Sequence, residues 1–289
     1  MSGEDAFVNI NDAKANLDHI YNQPDPRAYY TELRKLDYAI PGAAKPLFLR
    51  LIALLRRLRG RSVHVLDLGC SYGVNAALLK HDMTMHELYD HWGQKRLRDF
   101  SPEELIEYDQ QFFASREETQ DLEVIGLDRA GQAVAFAEET GLIDEGVVAN
   151  LEEQPLPDLA KPELAEVDLM TSTGCVGYIT EKSFERLLPA VTKGRPPWLA
   201  NCVLRLFPFD PIAAMLSDWG YVTEKLEDRT FKQRRFVSEG EREQVLQQLR
   251  EQGVDPAGKE AEGHLHAEFY LSRPAVDAKG ASVETLLAV

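Results

Sequence analysis

A short apolar run that ends in an aspartate and passes into a glycine-flanked turn constrains this chain most. Residues 63–68 are apolar and rich in β-branched side chains, which is typical of a buried strand. The stretch from Gly69 to Gly73 reads as a turn, and the apolar spacing of residues 74–80 predicts a helix. A strand, a glycine turn and a helix form the opening of a βαβ unit. We therefore predict an α/β fold.

Strand-like and helical segments continue to alternate along the chain. The further strands are predicted at residues 122–127, 146–149, 167–171, 198–206 and 264–271, and residues 222–224 and 235–237 are two further candidates. Strands that alternate with helices imply a mostly parallel sheet with helices on both faces. A late pair of strands lacks a good crossover helix, which favours an antiparallel edge. The predicted fold class is a Rossmann-like, seven-stranded, mostly parallel sheet with an antiparallel edge.

Three further segments are expected around this core. Residues 1–61 predict an N-terminal helical cap, residues 62–274 the core, and residues 275–289 a tail. A helical insertion is predicted at about residues 81–121, where Ser101 opens a capping box with proline at the first helical position. The aromatic residues of this insertion leave two roles open: a lid that excludes water from a pocket, or packing onto the core.

The charge balance limits the partners of the chain. It carries 32 basic and 48 acidic residues, a formal net charge of −16. Nucleic acids are polyanions and their binders usually present a basic surface, so we expect no nucleic-acid partner. A run of arginines at Arg56, Arg57, Arg59 and Arg61 fits either a local basic patch or the last turn of a helix, where cations are favoured.

The cysteines and the apolar runs indicate the compartment. Cys70, Cys175 and Cys202 are odd in number and are not spaced like metal ligands, which is typical of a reducing compartment. The first residues are polar and acidic, unlike a secretion signal. The sequence contains no run of about 18 apolar residues, the length that would predict a membrane span. We expect a cytoplasmic protein without a membrane partner, and a homodimer is a further expectation.

The turn after the first strand lacks the dinucleotide fingerprint. That fingerprint, G-x-G-x-x-G, seats a pyrophosphate on a helix N-terminus. Here three residues separate Gly69 from Gly73, which argues against an NAD-dependent oxidoreductase. Ligands of open α/β sheets bind at the carboxyl ends of the strands, and Asp67 puts a carboxylate at such an end.

Residues 67–73 resemble the first motif of the class I S-adenosylmethionine-dependent methyltransferases. That motif is an acidic residue followed by spaced glycines; Asp67, Gly69 and Gly73 match it, and Ser71 replaces the middle glycine. The resemblance implies that S-adenosylmethionine is the cofactor. It also implies that Asp67 and the backbone from Gly69 through Cys70 and Ser71 to Gly73 face its methionine part.

A second motif of the same family is an acidic residue at the end of the second strand. Asp128 follows the predicted strand at residues 122–127 and matches it. The resemblance implies that its carboxylate binds both ribose hydroxyls, since a carboxylate can accept two hydrogen bonds at once. Asp67 and Asp128 are 61 positions apart, where the Rossmann unit has about 20. The insertion at residues 81–121 accounts for the excess.

The third and fourth strands end in residues that match the remaining motifs. The resemblance implies that Asn150 and Leu151 contact the adenine, and that Thr171 and Ser172 pass beneath the methionine portion. Residues 168–174 differ from the Asp/Asn-Pro-Pro-Tyr/Phe motif of methyltransferases that modify nucleic acid bases or glutamine. This difference argues against those substrates.

Tyrosines are the candidates for further contacts. In related enzymes a helix before the core closes over the cofactor, which implies contacts from Tyr29 or Tyr30; the alternative is that both pack between helices. Methyl transfer is an in-line displacement that depends mainly on alignment, so a catalytic base is not required. If one acts, Tyr178 lies beyond the fourth strand, near the expected substrate pocket, and is our first candidate.

Four histidines are the other candidates for a base. His264 and His266 alternate on the last predicted strand and so face the same side, whereas His86 and His91 belong to the insertion. No cysteine or carboxylate stands at a ligand spacing from the first pair. We therefore expect no metal.

These motifs together predict a methyltransferase that uses S-adenosylmethionine on a small molecule, with specialised metabolism as the expected setting. Two alternatives stay open. A non-methylating enzyme of the same fold transfers the aminocarboxypropyl group or cyclises the methionine moiety, and releases methylthioadenosine. The other alternative is a catalytically inactive, methyltransferase-like binding protein.

Overall fold

Helices precede the sheet in this computed structural model, which describes residues 18–288. They are α1 (Asp18–Tyr21), α2 (Arg27–Lys35) and α3 (Ile40–Arg59). Residues 1–17 of the predicted cap lie outside the described residues. The third helix begins at Ile40, and Pro41 lies in its first turn, where its missing N–H costs no helical hydrogen bond.

Eight strands form one sheet. They are β1 (Val63–Leu68), β2 (Leu122–Asp128), β3 (Glu145–Val148), β4 (Leu169–Thr173), β5 (Trp198–Leu204), β6 (Tyr221–Lys225), β7 (Phe231–Arg235) and β8 (His264–Pro274). The order is β3-β2-β1-β4-β5-β8-β6, and β7 also pairs with β8. The first five strands are parallel, and β8 runs antiparallel to β5, β6 and β7.

The predicted fold class is confirmed, with one strand more than expected. Both β6 and β7 pair along the same side of β8, each with one half of it. The sequence placed a strand at residues 235–237, whereas β7 ends at Arg235. Its composition, with Lys232, Arg234 and Arg235 among five residues, hides it, because exposed strands and loops share that polarity.

Helices cover both faces of the sheet. They are α4 (Val74–Lys80), α5 (Met85–Trp92), α6 (Pro102–Ala114), α7 (Gly131–Glu139), α8 (Lys161–Leu164), α9 (Glu181–Val191), α10 (Asp210–Asp218) and α11 (Glu239–Glu251). Side chains of β1 divide between the two faces, as the strand period of two requires. Val63 and Val65 join the core beneath α3 and α4, and Leu66 and Leu68 join the core beneath α9, α10 and α11.

The insertion between α4 and β2 is packed by its aromatic residues. The capping box predicted at Ser101 is present and starts α6. Trp92 stacks on Tyr30, with ring centroids 4.3 Å apart. The buried carboxylate of Asp109 lies 2.6 Å from His91 Nε2 and accepts a hydrogen bond from Trp92 Nε1 at 2.8 Å. These contacts tie α5 and α6 to each other and to α2.

The end of the chain folds back onto the cap. Two short helices, α12 (Ala275–Ala278) and α13 (Val283–Leu287), follow β8. Val283 and Leu287 are buried in the core that contains α3, and Arg50 Nε donates to the carbonyl of Leu286 at 3.1 Å. The segment expected to be a tail is therefore packed against the rest of the molecule.

The basic run lies in the last turn of α3 and beyond it, as one of its two interpretations expected. Arg59 Nε donates to Asp168 Oδ1 at 2.9 Å, and Arg61 Nη1 donates to Asp168 Oδ2 at 3.0 Å. Asp168 directly precedes β4, so this charge cluster lies at the amino ends of the parallel strands.

Among the described helices, none alone is long and apolar enough to cross a membrane. Only α2 and α3, which meet at an angle of 103°, have that length and composition when taken together.

Candidate functional site

A cavity of about 250 Å³ opens at the carboxyl ends of β1, β2 and β4. It is walled by the turns after those strands, by the loop after β3, by β7 and by the N-terminal helices. Of the residues that the sequence predicted, those that line it are Gly69, Cys70, Ser71, Asp128, Asn150, Leu151, Tyr29 and Tyr178. Asp67, Gly73, Thr171, Ser172 and Tyr30 do not line it.

The turn after β1 is held in a conformation that favours glycine. Gly69, Ser71 and Gly73 all have positive φ, at 75°, 50° and 75°. The N–H of Gly69 donates to the carbonyl of Leu127 at 2.8 Å, which fixes the turn against β2. A Cβ on Gly69 would lie 2.7 Å from Cys175 Cβ, so the turn also needs glycine for space.

The turn contacts the carboxylate of Asp128 directly. The N–H of Ser71 donates to Asp128 Oδ2 at 3.0 Å, and the N–H of Ala130 donates to Asp128 Oδ1 at 3.0 Å. Each carboxylate oxygen has a second lone pair. Ser71 and Asp128 are 57 positions apart but meet because β1 and β2 are parallel neighbours. The insertion at residues 81–121 separates the two motifs in the sequence but not in space.

Asp67 is buried next to the cavity but does not line it. Its Oδ1 accepts hydrogen bonds from Asn75 Nδ2 at 2.8 Å and from Thr171 Oγ1 at 2.9 Å, and Asn75 lines the cavity. Its Oδ2 is buried without a partner among the described residues. Burial raises the pKa of Asp67 to about 7, although the two hydrogen bonds oppose the rise.

Thr171 and Ser172 lie inside the sheet rather than at the cavity. The sequence ended the fourth strand at Thr171, but β4 pairs with β5 as far as Thr173. Thr171 is bonded to Asp67, and Ser172 Oγ donates to Asn201 Oδ1 at 2.7 Å. The cavity is lined instead by the next residues, Thr173 and Gly174.

The loop after β3 is anchored by Glu152, which was not predicted as a site residue. Asn150 Oδ1 accepts a hydrogen bond from the N–H of Glu152 at 3.2 Å, which closes a tight turn. The carboxylate of Glu152 accepts from the N–H of Thr180 at 2.8 Å and from Ser183 Oγ at 2.6 Å. Asn150 and Leu151 are thereby fixed relative to the start of α9.

The two tyrosines of α2 have different surroundings. Tyr29 lines the cavity with Tyr21 and Tyr38, and its ring centroid is 5.5 Å from that of Tyr21. Tyr30 is buried on the other side of α2, stacked on Trp92. Neighbouring helical residues point about 100° apart, so only one of the pair can face the cavity.

Tyr178 and two residues of β7 also line the cavity. Tyr178 is 45% exposed and lies at the cavity beyond Gly174. Gln233 and Arg234 of β7 were not predicted as site residues, and no motif in the sequence marks them. The structure brings them here because β7 pairs with β8, a contact between distant segments.

The histidines lie elsewhere. His91 is bonded to Asp109, and His86 Nε2 lies 3.2 Å from Asp90 on the surface. Thr230 Oγ1 lies 3.0 Å from His266 Nδ1, and burial lowers the pKa of His266 to about 4. Neither these residues nor His264 line the cavity. In the part of the chain that the structure describes, no group of three residues could hold a metal ion.

The cysteines near the cavity are protonated packing residues. Burial raises the pKa of Cys70, and it raises that of Cys175 to about 12. Cys70 Sγ would lie 2.8 Å from a Cβ placed on Gly126, so it fills the space left by that glycine. A thiolate nucleophile is therefore disfavoured at both positions.

No protein-family model matches the sequence, and no curated protein matches it. Solved structures of methyltransferases are among those to which the fold is similar. A TehB-like SAM-dependent methyltransferase from Corynebacterium glutamicum is 16% identical, with a TM-score of 0.35, over 74% of this chain and 85% of that one.

Two further structures contain S-adenosylhomocysteine (SAH). The plantazolicin methyltransferase BpumL, in complex with a pentazolic desmethylPZN analog and SAH, is 11% identical over 94% of this chain and 98% of its own, with a TM-score of 0.47. The phosphoethanolamine N-methyltransferase 2 of Haemonchus contortus, in complex with phosphomonomethylethanolamine and SAH, is 15% identical. The similarity covers 77% of this chain and 51% of that one, with a TM-score of 0.38.

Proposed function

We propose that this chain is an S-adenosylmethionine-dependent methyltransferase that acts on a small molecule. One observation carries the proposal: the hydrogen bond from the N–H of Ser71 to Asp128 joins the residues that match the first and second motifs at a single cavity. Two weak motifs separated by an insertion become one site. Asn150 completes it from the neighbouring loop.

The residues present fit the chemistry of the cofactor. S-adenosylmethionine carries an ammonium group, a ribose diol and an adenine, and it has no phosphate. Asp128 offers carboxylate oxygens to the diol, and Asn150 offers an amide to the adenine. Asp67 does not line the cavity, but it holds Asn75, whose side chain does. In the lining, Asp128, Glu152 and Glu153 outnumber Arg129 and Arg234, which favours a cationic ligand over a dinucleotide.

The chain's own part in the reaction is binding, orientation and exclusion of water. The bound cofactor supplies an electrophilic methyl group. Tyr29 and Tyr38 wall the cavity and limit the access of water, and both are buried. Tyr178 is the hydroxyl that we propose to face the acceptor. Such a transfer depends mainly on alignment of the reacting groups, which fixed aromatic walls provide.

A small molecule fits the site better than a nucleic acid does. The cavity holds about 250 Å³, and the formal net charge of −16 repels a polyanion. The wall that would receive the acceptor is aromatic and apolar on the side of the N-terminal helices. Small-molecule sites are typically such concave pockets with a few polar groups.

The nucleosides bound and released by the protein test the proposal. Purified protein is incubated with S-adenosylmethionine alone, and mass spectrometry identifies the retained and the free nucleosides. We expect retained, unreacted S-adenosylmethionine. Asp128→Ala serves as the matched blank, because it removes the carboxylate that we propose to bind the ribose.

Two outcomes would overturn the proposal. Catalytic formation of methylthioadenosine would show that the cofactor itself is the substrate or the alkyl donor, and the non-methylating alternative would replace methyl transfer. No nucleoside retained above the Asp128→Ala blank would leave a fold that does not use S-adenosylmethionine.

A further inference from the structure

Gln233 stands at an irregularity in β7. On either side of it, Lys232 pairs with His266 and Arg234 pairs with Leu265, so two steps along β7 match one step along β8. Gln233 is therefore the extra residue of a β-bulge. Bulges bend a strand and re-aim a side chain, and they are over-represented next to functional sites.

The bulge is fixed from its other side by the N-terminal cap. The carbonyl of Gln233 accepts a hydrogen bond from the N–H of Ala39 at 2.7 Å. The N–H of Arg235 donates to the carbonyl of Leu36 at 2.6 Å. The strand segment is thus bonded on one side to β8 and on the other to the turn between α2 and α3, so Gln233 has a defined position.

The side chain of Gln233 lines the cavity and is incompletely bonded. It is 3% exposed, and its Oε1 is buried without a partner within residues 18–288. Its Nε2 would lie 2.5 Å from a Cβ placed on Gly174, so glycine at that position makes room for the amide. A buried carbonyl oxygen that lacks a donor is unfavourable unless something else supplies one.

The neighbouring charge is not available to a ligand. The guanidinium of Arg234 donates to both carboxylate oxygens of Glu241, at 3.0 and 2.6 Å, and both side chains are buried. Their charges neutralise each other. This end of the cavity therefore offers a neutral acceptor, and it offers no cation that would bind a carboxylate or a phosphate.

The surroundings of Gln233 are mainly aromatic and apolar. Tyr38, Pro41 and Leu33 reach the cavity from the N-terminal cap. These residues belong to different elements from Asp128 and Asn150, which lie on the turns after β2 and β3. The cavity therefore has one wall matched to the cofactor motifs and a second wall with a single unsatisfied amide acceptor.

We propose that Gln233 determines substrate specificity by accepting a hydrogen bond from an N–H or O–H group of a neutral aromatic acceptor molecule. The inference rests on the proposed function, because it assigns the second wall to the substrate of the same site. Oε1 gains the donor that it lacks, and the aromatic wall covers the ring of the substrate. Neutral aromatic molecules without a donor leave Oε1 unsatisfied and bind more weakly.

Two isosteric probes test the assignment on protein saturated with SAH. Indole carries an N–H donor, and benzofuran has an oxygen acceptor at the same position. Their dissociation constants are measured by ligand-observed NMR with the wild type, Gln233→Leu and Gln248→Leu. Gln248 is the matched control, since its Oε1 is also buried without a described partner but lies on α11, away from the cavity.

We expect the wild type and Gln248→Leu to bind indole about fivefold or more tightly than benzofuran, and Gln233→Leu to lose that preference. SAH affinity stays within about twofold of the wild type in both variants. Equal binding of the two probes, a preference for benzofuran, no indole binding or a preference that survives in Gln233→Leu would each overturn the inference. Failure of the wild type to bind SAH would instead overturn the proposed function.

Discussion

Two buried aspartates lie at opposite ends of the parallel strands, and their surroundings differ. Asp168, at the amino end of β4, accepts hydrogen bonds from the guanidinium groups of Arg59 and Arg61 and from the N–H of His64. Asp67, near the carboxyl end of β1, receives only neutral donors and keeps one oxygen without a described partner. Both residues are 1% exposed.

The difference separates a charge that the protein neutralises from one that has no cationic partner among the described residues. A buried charge is tolerated when it is paired and hydrogen-bonded, as Asp168 is. No cation pairs with Asp67 within residues 18–288, and burial destabilises its carboxylate, so its pKa rises to about 7. A cationic ligand in the adjoining cavity would favour the charged form of Asp67. We call the amino ends of the strands the closed end, because the protein itself pairs the charge of Asp168 there. We call the carboxyl ends the incomplete end, because Asp67 has an oxygen without a described partner there.

The largest effect is expected from breaking the closed end. Asp168→Ala leaves the buried Arg59 without its partner, and we expect the free energy of unfolding to fall by about 3–5 kcal/mol. Urea denaturation measures the change. Asp90→Ala is the control, because Asp90 pairs with Arg34 on the surface and should cost less than about 1 kcal/mol. Similar losses in the two variants would contradict the structural role of Asp168.

Asp67→Asn should change stability in the opposite direction. The pKa of Asp67 is about 7 in the folded protein and about 4 in the unfolded chain. Between these values the folded state holds a proton that the unfolded chain has released, so stability falls as the pH rises through this window. The variant lacks this penalty. Its advantage over the wild type should grow by about 2 kcal/mol from pH about 5.5 to pH about 8.

Urea curves of the wild type and Asp67→Asn at the two pH values provide the test. Asparagine keeps an oxygen that can accept from Asn75 and Thr171, so the neutral hydrogen bonds are retained. A difference in stability that does not depend on pH would contradict the raised pKa of Asp67. The carboxylate of Asp67 would then be no less stabilised than that of Asp168.

Gly69→Ala tests the tight turn at the incomplete end. The positive φ alone costs about 1–2 kcal/mol for a residue with a Cβ, and here the Cβ would also meet Cys175. Gly141→Ala is the matched control, since its φ is also 75° but no atom lies within 4 Å of its Cβ. We expect Gly69→Ala to cost about 1 kcal/mol more in urea denaturation. Equal costs would mean that the turn moves freely away from Cys175.

The smallest effect is expected from Arg61→Ala. The side chain of Arg61 is 42% exposed, and Arg59 remains to pair with Asp168. We expect a loss of about 0.5–1 kcal/mol in the free energy of unfolding, and the loss should shrink in high salt. A loss as large as that of Asp168→Ala would show that the two arginines cannot substitute for each other.

The sequence predicted the wall that contains Asp128 better than the wall that contains Gln233. Asp67 and Asp128 lie at or next to the ends of strands that are mostly apolar, so a pattern local to each strand reveals them. Their approach through Ser71 also follows from the parallel order of β1 and β2. The error at Thr171 and Ser172 came from ending the strand two residues early, since side-chain polarity does not mark where the pairing with β5 stops.

The second wall could not be predicted in this way. Gln233 reaches the cavity through a bulge, and the buried Arg234 beside it is neutralised by Glu241 on the following helix. Both depend on pairings that no periodic pattern encodes. The insertion was predicted as a segment, but its role was left open. No residue of 81–121, all of which the structure describes, lines the cavity, so packing is the role that the structure supports.

The affinity for SAH tests most directly whether the carboxyl ends of the strands form the cofactor site. Calorimetric titrations compare the wild type, Asp128→Ala at the incomplete end and Arg61→Ala at the closed end. We predict one site on the wild type, an affinity at least about 30-fold weaker in Asp128→Ala, and a change within about twofold in Arg61→Ala. Equal affinities in the wild type and Asp128→Ala would contradict the assignment of this cavity to S-adenosylmethionine.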